Sequence, residues 1–169
     1  SLDGYFEGRE PWDLATHELV WGEELEQFSK DQLREASVIL FGRATYEGMA
    51  AYWQKAEGEI ADGMNTLPKA VVSTTLTHAD WRNTRVLRSV GEVMAVKAES
   101  ASPVYVFGSA KLVAALSEAG LVDEYRVCIS PILLGGGSPL FKGGERQKLH
   151  LLEARALSNG GVILRYAPA

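Results

Sequence analysis

Short, continuous apolar runs alternate with amphipathic segments through the first two thirds of the chain. A run such as Val-Ile-Leu-Phe at residues 38–41 is typical of a strand that is buried on both faces. Apolar positions spaced three and four residues apart indicate helices between these runs. The predicted strands cover residues 37–42, 69–74, 85–87 and 104–107. The predicted helices cover residues 23–35, a segment from about residue 45, a brief helix that follows a loop within 55–67, residues 89–97, and 110–120.

From residue 122 onward the pattern changes to strands alone. These strands cover residues 125–132, 149–156 and 162–166, and the Ser-Asn-Gly-Gly turn at 158–161 predicts a hairpin between the last two. The order predicts an α/β fold with a mainly parallel central sheet flanked by helices and a C-terminal antiparallel hairpin. No repeat, linker or change of composition divides the chain, so we expect one domain over residues 1–169.

Charge and cysteine content exclude several classes of function. The formal net charge is -5 and the pI is about 5.3, which provides no basic surface for nucleic acid. The single cysteine, Cys128, and the lack of a long apolar segment predict a cytoplasmic protein without membrane insertion or export. Residues 1–4 have the sequence of a strand end and its turn, so we expect the rest of that strand to precede them.

No metal site is expected. The three histidines, His17, His78 and His150, lie far apart in the sequence and lack companions with ligand spacing. A zinc-dependent deaminase needs a histidine and two cysteines, which one cysteine cannot supply.

Two strand-to-helix junctions contain the candidate chemistry. In the first, Gly42, Arg43 and Thr45 follow a buried strand, so backbone N–H groups, a hydroxyl and a cation could bind phosphate. The alternative is a plain turn in which Thr45 caps the helix. The second junction, residues 108–110, is Gly-Ser-Ala and lacks the three-glycine dinucleotide fingerprint. Ligands in open α/β sheets bind beyond the carboxyl ends of the strands, so a dinucleotide could bridge both junctions.

Five segments, at residues 1–4, 42–47, 71–73, 106–109 and 131–137, together resemble the dihydrofolate-reductase-like superfamily. Their order and spacing are similar to the reductase domain of riboflavin synthesis and its stand-alone bacterial relatives. The resemblance implies hydride transfer from NADPH to a small heterocyclic or ribosylaminopyrimidine substrate. It also implies a homodimer formed through the late antiparallel strands.

The resemblance assigns residues to the cofactor. Gly42, Arg43 and Thr45 correspond to the adenosine-phosphate and pyrophosphate end, and Ser73 and Thr74 to the adenosine. Many relatives have two or three glycines at the second junction. Ser109 and Ala110 depart from that pattern, and their side chains narrow the approach of the cofactor. The implied cofactor set is Gly42, Arg43, Thr45, Ser73, Thr74, Gly108, Ser109, Ala110 and Leu112.

For the substrate the resemblance implies Asp3, Gly4, Trp12, Leu134 and Gly135, and the candidate proton-handling residues are Asp3 and Glu26. Each has a structural alternative: a common Asp-Gly turn, a core tryptophan, a tight glycine turn, or an exposed helix carboxylate. Three other functions stay open, namely dihydrofolate reductase proper, a nucleotide-binding module without turnover, and a flavin-binding electron-transfer domain.

Overall fold

The computed structural model describes residues 1–169, which group into two units by their internal contacts. Unit one contains residues 1–27 and 120–169, and unit two contains residues 28–119. The strands are β1 Tyr5–Glu7, β2 Val38–Gly42, β3 Lys69–Val72, β4 Thr84–Leu87, β5 Val104–Val106, β6 Tyr125–Ile129, β7 Ser138–Pro139, β8 Leu149–Ala156 and β9 Val162–Pro168. The helices are α1 Ala15–Val20, α2 Glu23–Glu35, α3 Arg43–Trp53, α4 Glu59–Thr66, α5 Val93–Glu99 and α6 Ala110–Glu118. None of them has the length and apolar character needed to cross a membrane.

Unit two contains a four-stranded parallel sheet in the order β4-β3-β2-β5. The central strands β2 and β3 contain continuous apolar runs of the sequence, because parallel strands are covered on both faces, whereas the edge strand β4 contains an exposed arginine. Ile39 and Phe41 of β2 and Val71 of β3 are completely buried. The Phe41 ring stacks on Trp81 with centroids 5.8 Å apart, and Tyr46 of α3 packs against both rings. This aromatic core fixes α3 on the sheet.

Unit one contains a three-stranded antiparallel sheet in the order β6-β9-β8. Arg126 of β6 lies directly opposite Arg165 of β9, a pairing that like charges alone would destabilise. The Glu124 carboxylate accepts hydrogen bonds from Nε of Arg165 at 2.6 Å and Nε of Arg126 at 2.7 Å. These bonds, the Arg165 bond foremost, lower the pKa of Glu124. The carboxylate thereby offsets the repulsion between the two arginines.

A second, two-stranded pairing in unit one joins β1 to β7. Gly137, next to β7, has a φ of 134°, and a Cβ atom there would lie 2.2 Å from the carbonyl oxygen of Glu7. Only glycine can therefore occupy this position without moving the backbone of β1.

The predicted α/β class, with a parallel sheet flanked by helices and a C-terminal antiparallel hairpin, is confirmed. Several predicted boundaries were wrong. The strand predicted over 69–74 ends at Val72, so residues 73 and 74 follow it. The strand predicted over 125–132 ends at Ile129, since Pro131 has no N–H for a ladder and Ile132 instead closes a turn onto Ser130. The helix predicted over 89–97 begins as a 3₁₀ turn, Val90–Glu92, before α5. Three elements were not predicted, β1, α1 and β7, all of six residues or fewer.

Lys69, the first residue of β3, is a buried cation without a carboxylate partner. It is 1% exposed, and its Nζ donates to the carbonyl oxygens of Leu67 at 2.7 Å, Met64 at 2.9 Å and Asn65 at 3.3 Å. The ammonium also lies 4.6 Å from the centroid of the Trp81 ring. Burial lowers the pKa of Lys69 to about 8. Carbonyl dipoles and the indole thus stabilise the charge only in part.

We expect stability to rise with pH through the range in which Lys69 titrates. The folded pKa of about 8 lies below the unfolded value of about 10.4, so between them the unfolded state binds more protons. The free energy of unfolding should increase across this window by up to about 3 kcal/mol. Urea denaturation between pH 7.5 and 10.5 should show this slope in the native chain and in a Lys55→Met control, but not in Lys69→Met. An equal slope in Lys69→Met would show that other groups cause it.

Candidate functional site

The carboxyl ends of β2 and β5 bring the two glycine junctions side by side. These strands are parallel neighbours in the sheet, so the backbone leaves both of them at the same edge. The Gly42 N–H donates a hydrogen bond of 2.9 Å to the Ser109 hydroxyl, 67 residues away in the sequence. A Cβ atom on Gly108 would lie 3.5 Å from Cγ2 of Thr45. The first and second junctions therefore form one continuous surface.

Two helices begin at this surface without side-chain caps. The N-cap residue of α3 is Gly42, which has an extended backbone and no side chain to offer. The N-cap of α6 is Ser109, whose hydroxyl makes no capping bond within its own helix. Thr45 lies inside α3, so the alternative in which it caps that helix is wrong. Uncapped N–H groups and the positive ends of two helix dipoles favour an anion here.

Ser109 has a left-handed backbone, with φ 62°, at a position where glycine is favoured. Its hydroxyl occupies the Gly42 amide, so one of the donors expected to face a ligand is already bonded within the protein. A hydroxyl can accept one hydrogen bond and donate another, so the Ser109 O–H hydrogen can still be directed to a second acceptor.

The remaining residues of the predicted cofactor set have distinct environments. Ser73 follows β3 and is buried, and its hydroxyl accepts the N–H groups of Thr75 at 3.2 Å and Leu76 at 2.9 Å, while Thr74 is exposed. Arg43 is half exposed and lies 3.7 Å from Glu47 one helical turn away. Leu112 is buried, with its Cβ atom 3.7 Å from where a Gly42 Cβ would be, and Ala110 begins α6.

This edge of the sheet fits a dinucleotide. Two adjacent uncapped helix N-termini offer N–H groups for a pyrophosphate, and glycine at positions 42 and 108 keeps the approach open. An arginine and a run of hydroxyl residues lie along the same edge for the sugar and its phosphate. The side chain of Ser109 narrows the space between the two junctions but leaves the N-termini of α3 and α6 uncovered.

In unit one, Asp3 is bound to the glycine-rich loop of the predicted substrate set. Its carboxylate accepts the N–H of Leu134 at 3.1 Å and the N–H of Gly135 at 2.8 Å. The pKa of Asp3 is lowered to about 2, mainly by a hydrogen bond with the Ser1 side chain and also by the hydrogen bonds from the two backbone amides. Asp3 is therefore an ionised acceptor at neutral pH. Gly4, next to it, has a φ of 89° and completes the turn.

Trp12 and Glu26 stand apart from this carboxylate–amide contact. Trp12 lies in the loop between β1 and α1 with φ 65°, and its backbone N–H donates to Oε1 of Glu7 at 2.7 Å. Its side chain is 47% exposed, so it is not a core aromatic. A bulky residue in the left-handed region is rare and is often associated with ligand contacts. Glu26 lies in the first turn of α2 and is partly buried.

The sequence prediction missed Arg88, and it favoured a solvated surface charge over a phosphate contact for Arg9. Arg9 packs over the glycine-rich loop. Its Nε is so near Gly136 that a Cβ atom on that residue would lie 3.0 Å away. Arg88 directly follows β4, as Arg43 follows β2, and its Nη1 donates to the carbonyl oxygens of Ser73 and Leu76. The repeated strand-then-arginine pattern was the available signal for Arg88, but the strand before it is weak in the sequence.

Comparison with known proteins identifies the family and the fold. The sequence model of the RibD C-terminal domain family matches residues 1–163. YyaP of Bacillus subtilis strain 168, an uncharacterized protein, is 28% identical over 98% of this chain and 89% of its own. A solved structure from Shewanella sp. PV-4, assigned to riboflavin biosynthesis, is similar with a TM-score of 0.78 and 18% identity, covering 99% of this chain and 94% of that one.

Two further solved structures share the architecture. A pyrimidine reductase-like protein of Corynebacterium diphtheriae has a TM-score of 0.66 at 13% identity, covering 98% of this chain and 89% of that one. RibD of Acinetobacter baumannii has a TM-score of 0.70 at 14% identity over 100% of this chain and 55% of that one. These likenesses confirm the predicted dihydrofolate-reductase-like fold.

We expect the Ser109 hydroxyl to contribute measurably to stability. Ser109→Ala keeps the left-handed backbone cost and leaves the Gly42 N–H without its partner, so it should lose about 1–2 kcal/mol. Ser109→Gly loses the same bond but relieves the backbone, so it should be the more stable of the two variants. Urea unfolding of both variants measures the difference. An alanine variant as stable as the native chain would show that the bond contributes nothing.

Proposed function

The chain belongs to the RibD C-terminal domain family, and on that basis we propose that it is an NADPH-dependent reductase. The family is the reductase domain of a riboflavin-biosynthesis enzyme and uses a nicotinamide cofactor. The proposed acceptor is a small heterocycle of the ribosylaminopyrimidine type. The observation that carries the proposal is the Gly42–Ser109 hydrogen bond, which holds two uncapped helix N-termini at one sheet edge.

In this proposal unit two binds the nucleotide. The first-turn amides of α3 and α6 bind the pyrophosphate, Arg43 binds the 2′-phosphate, and Ser73 and Thr74 line the adenosine. The Ser109 hydroxyl stays bonded to the Gly42 amide and directs its hydrogen to a phosphate oxygen. The nicotinamide supplies a hydride when bound. The chain's own contribution is to hold the cofactor in one orientation, which needs few acid or base residues.

The proposed substrate set lies in unit one. Asp3, ionised and held by the Leu134 and Gly135 amides, can only accept hydrogen bonds, so the group facing it should be a donor such as a ring N–H or an exocyclic amine. The exposed Trp12 offers an aromatic face for a planar heterocycle. Hydride transfer also requires a proton, and the low pKa of Asp3 favours Glu26 or water as its source.

We also propose that the protein is a homodimer through its late antiparallel strands. β8 is the edge strand of its sheet, and its outer side has no strand partner within the chain. Leu149, Leu151 and Leu152 on this strand are 39%, 56% and 52% exposed. An eight-residue edge strand with exposed leucines is a template for pairing with another chain, and a second copy would cover both features.

The nucleotide assignment predicts a selective effect of Arg43→Ala. NADPH binding, measured by quenching of tryptophan fluorescence, should weaken about tenfold or more, since a charge-assisted hydrogen bond contributes about 1.5–3 kcal/mol. NADH lacks the 2′-phosphate, so its affinity should change little. Equal losses for the two nucleotides would show that Arg43 does not bind the 2′-phosphate.

Stopped-flow mixing of the NADPH complex with a ribosylaminopyrimidine and with dihydrofolate tests turnover. Nucleotide binding without any oxidation of NADPH would indicate a nucleotide-binding module.

The dimer predicts a concentration-dependent mass. Analytical ultracentrifugation should give a dimer for the native chain and a monomer for Leu151→Glu, because a buried carboxylate at a strand pairing is strongly unfavourable. Leu19→Glu, a substitution of the same chemistry at a 46% exposed leucine of α1, should remain dimeric. A native chain that sediments as a monomer at all concentrations would contradict the proposal.

A further inference from the structure

Three neighbouring strands of the parallel sheet end in a single row. Gly42 of β2 lies beside Val72 of β3, which in turn lies beside Leu87 of β4. The residue that follows each of these three strands is therefore at the same height above the sheet edge. These three residues are Arg43, Ser73 and Arg88.

The row sets the spacing of two cations. Adjacent strands are about 4.8 Å apart, so the backbones of Arg43 and Arg88 are separated by roughly 10 Å, with Ser73 between them. A phosphate is small enough to lie above Ser73 within reach of both side chains. The edge thus offers a cation on each side of a serine at the end where the adenosine is proposed to bind.

Arg88 differs from the other arginines of this sheet in its partners. Arg43 lies 3.7 Å from Glu47, and Arg85, at the other end of β4, lies 3.1 Å from Glu99. Arg88 has no carboxylate within ion-pair distance of its guanidinium. Its acceptors are the backbone carbonyl oxygens of Ser73 at 3.0 Å and Leu76 at 2.6 Å, both bonded to one nitrogen, Nη1.

This attachment orients Arg88 without neutralising it. A guanidinium has five N–H donors, so Nε and Nη2 remain available after Nη1 is bonded to the two carbonyls. The same turn is fixed from inside by the Ser73 hydroxyl, which accepts the amides of Thr75 and Leu76. Arg88 is exposed and is held as a positive charge at the edge of the site. The nearby Glu92 carboxylate accepts the Arg88 backbone N–H at 3.0 Å and does not form an ion pair with the guanidinium.

We propose that Arg88 is a specificity-determining residue that binds the 2′-phosphate of the nucleotide together with Arg43, from the opposite side of Ser73. The inference rests on the proposed function and adds to it a second cation and a reason for preferring NADPH. A 2′-phosphate carries close to two negative charges at neutral pH, which two flanking guanidinium groups match better than one. NADH has a neutral hydroxyl at this position and gains nothing from Arg88.

The test compares Arg88→Gln, Arg88→Lys and a matched control, Arg85→Gln, from the other end of the same strand. Glutamine removes the charge and keeps an amide donor on a shorter side chain, and lysine keeps the charge. The Ser73 hydroxyl bonds to Thr75 and Leu76 are unaffected by either substitution. Dissociation constants are measured by calorimetry for NADPH, NADH, 2′,5′-ADP and 5′-AMP. Arg88→Gln should weaken NADPH and 2′,5′-ADP about tenfold to a hundredfold and leave NADH and 5′-AMP nearly unchanged. Arg88→Lys should retain most of the preference, and Arg85→Gln all of it.

The outcomes distinguish a failure of the Arg88 inference from a failure of the proposed function. If Arg88→Gln weakens all four nucleotides by the same factor, or none of them, Arg88 only supports the turn and the inference is overturned while the proposed function stands. If the native chain binds no nucleotide, the proposed function and the inference fail together. The unfolding midpoint of each variant, measured in urea, shows whether a uniform loss comes from damage to the fold.

Discussion

The hydrogen bond from the Gly42 amide to the Ser109 hydroxyl fixes the distance between two helix N-termini. Parallel strands deliver every following helix to the same sheet edge, but neighbouring helices need small residues between them to approach closely. Glycine at positions 42 and 108 provides that closeness, and Ser109 provides a link across it. The positive ends of two helix dipoles are then held close together, and a bound anion would offset their electrostatic repulsion.

Local electrostatics at this edge differ from those of the chain as a whole. The net charge of -5 would repel a dinucleotide at long range, although salt screens that repulsion beyond about 8 Å at physiological ionic strength. Within that distance the helix N-termini and the arginines that follow β2 and β4 dominate. Their position follows from the sheet register, which aligns Gly42, Val72 and Leu87. The proposed preference for a 2′-phosphate thus depends on strand alignment as much as on residue type.

The sequence predicted those features that depend on local patterns. The strands around Phe41, Val71 and Val106 were found because buried parallel strands are continuous apolar runs. β1 and α1 were missed because three and six residues carry too little periodicity. The contact of Asp3 with Gly135 joins residues 132 positions apart, and only tertiary structure could reveal it. The same holds for Arg88, whose proposed role depends on a strand register that periodicity does not encode.

Two of the chain's own oxygen groups occupy backbone amides where a ligand was expected, and they act differently. The Ser109 hydroxyl accepts from Gly42 and can still donate, so it extends the site toward a phosphate. The Asp3 carboxylate accepts from Leu134 and Gly135 and carries a full charge, so it repels a second anion from that loop. In the proposed function, a phosphate on the substrate would therefore lie away from Asp3, and the group that faces Asp3 would be a hydrogen-bond donor. The Asp3 side of the glycine-rich loop therefore suits the amine of the proposed heterocycle, whereas Arg9, which lies over Gly136, is the cation of this loop.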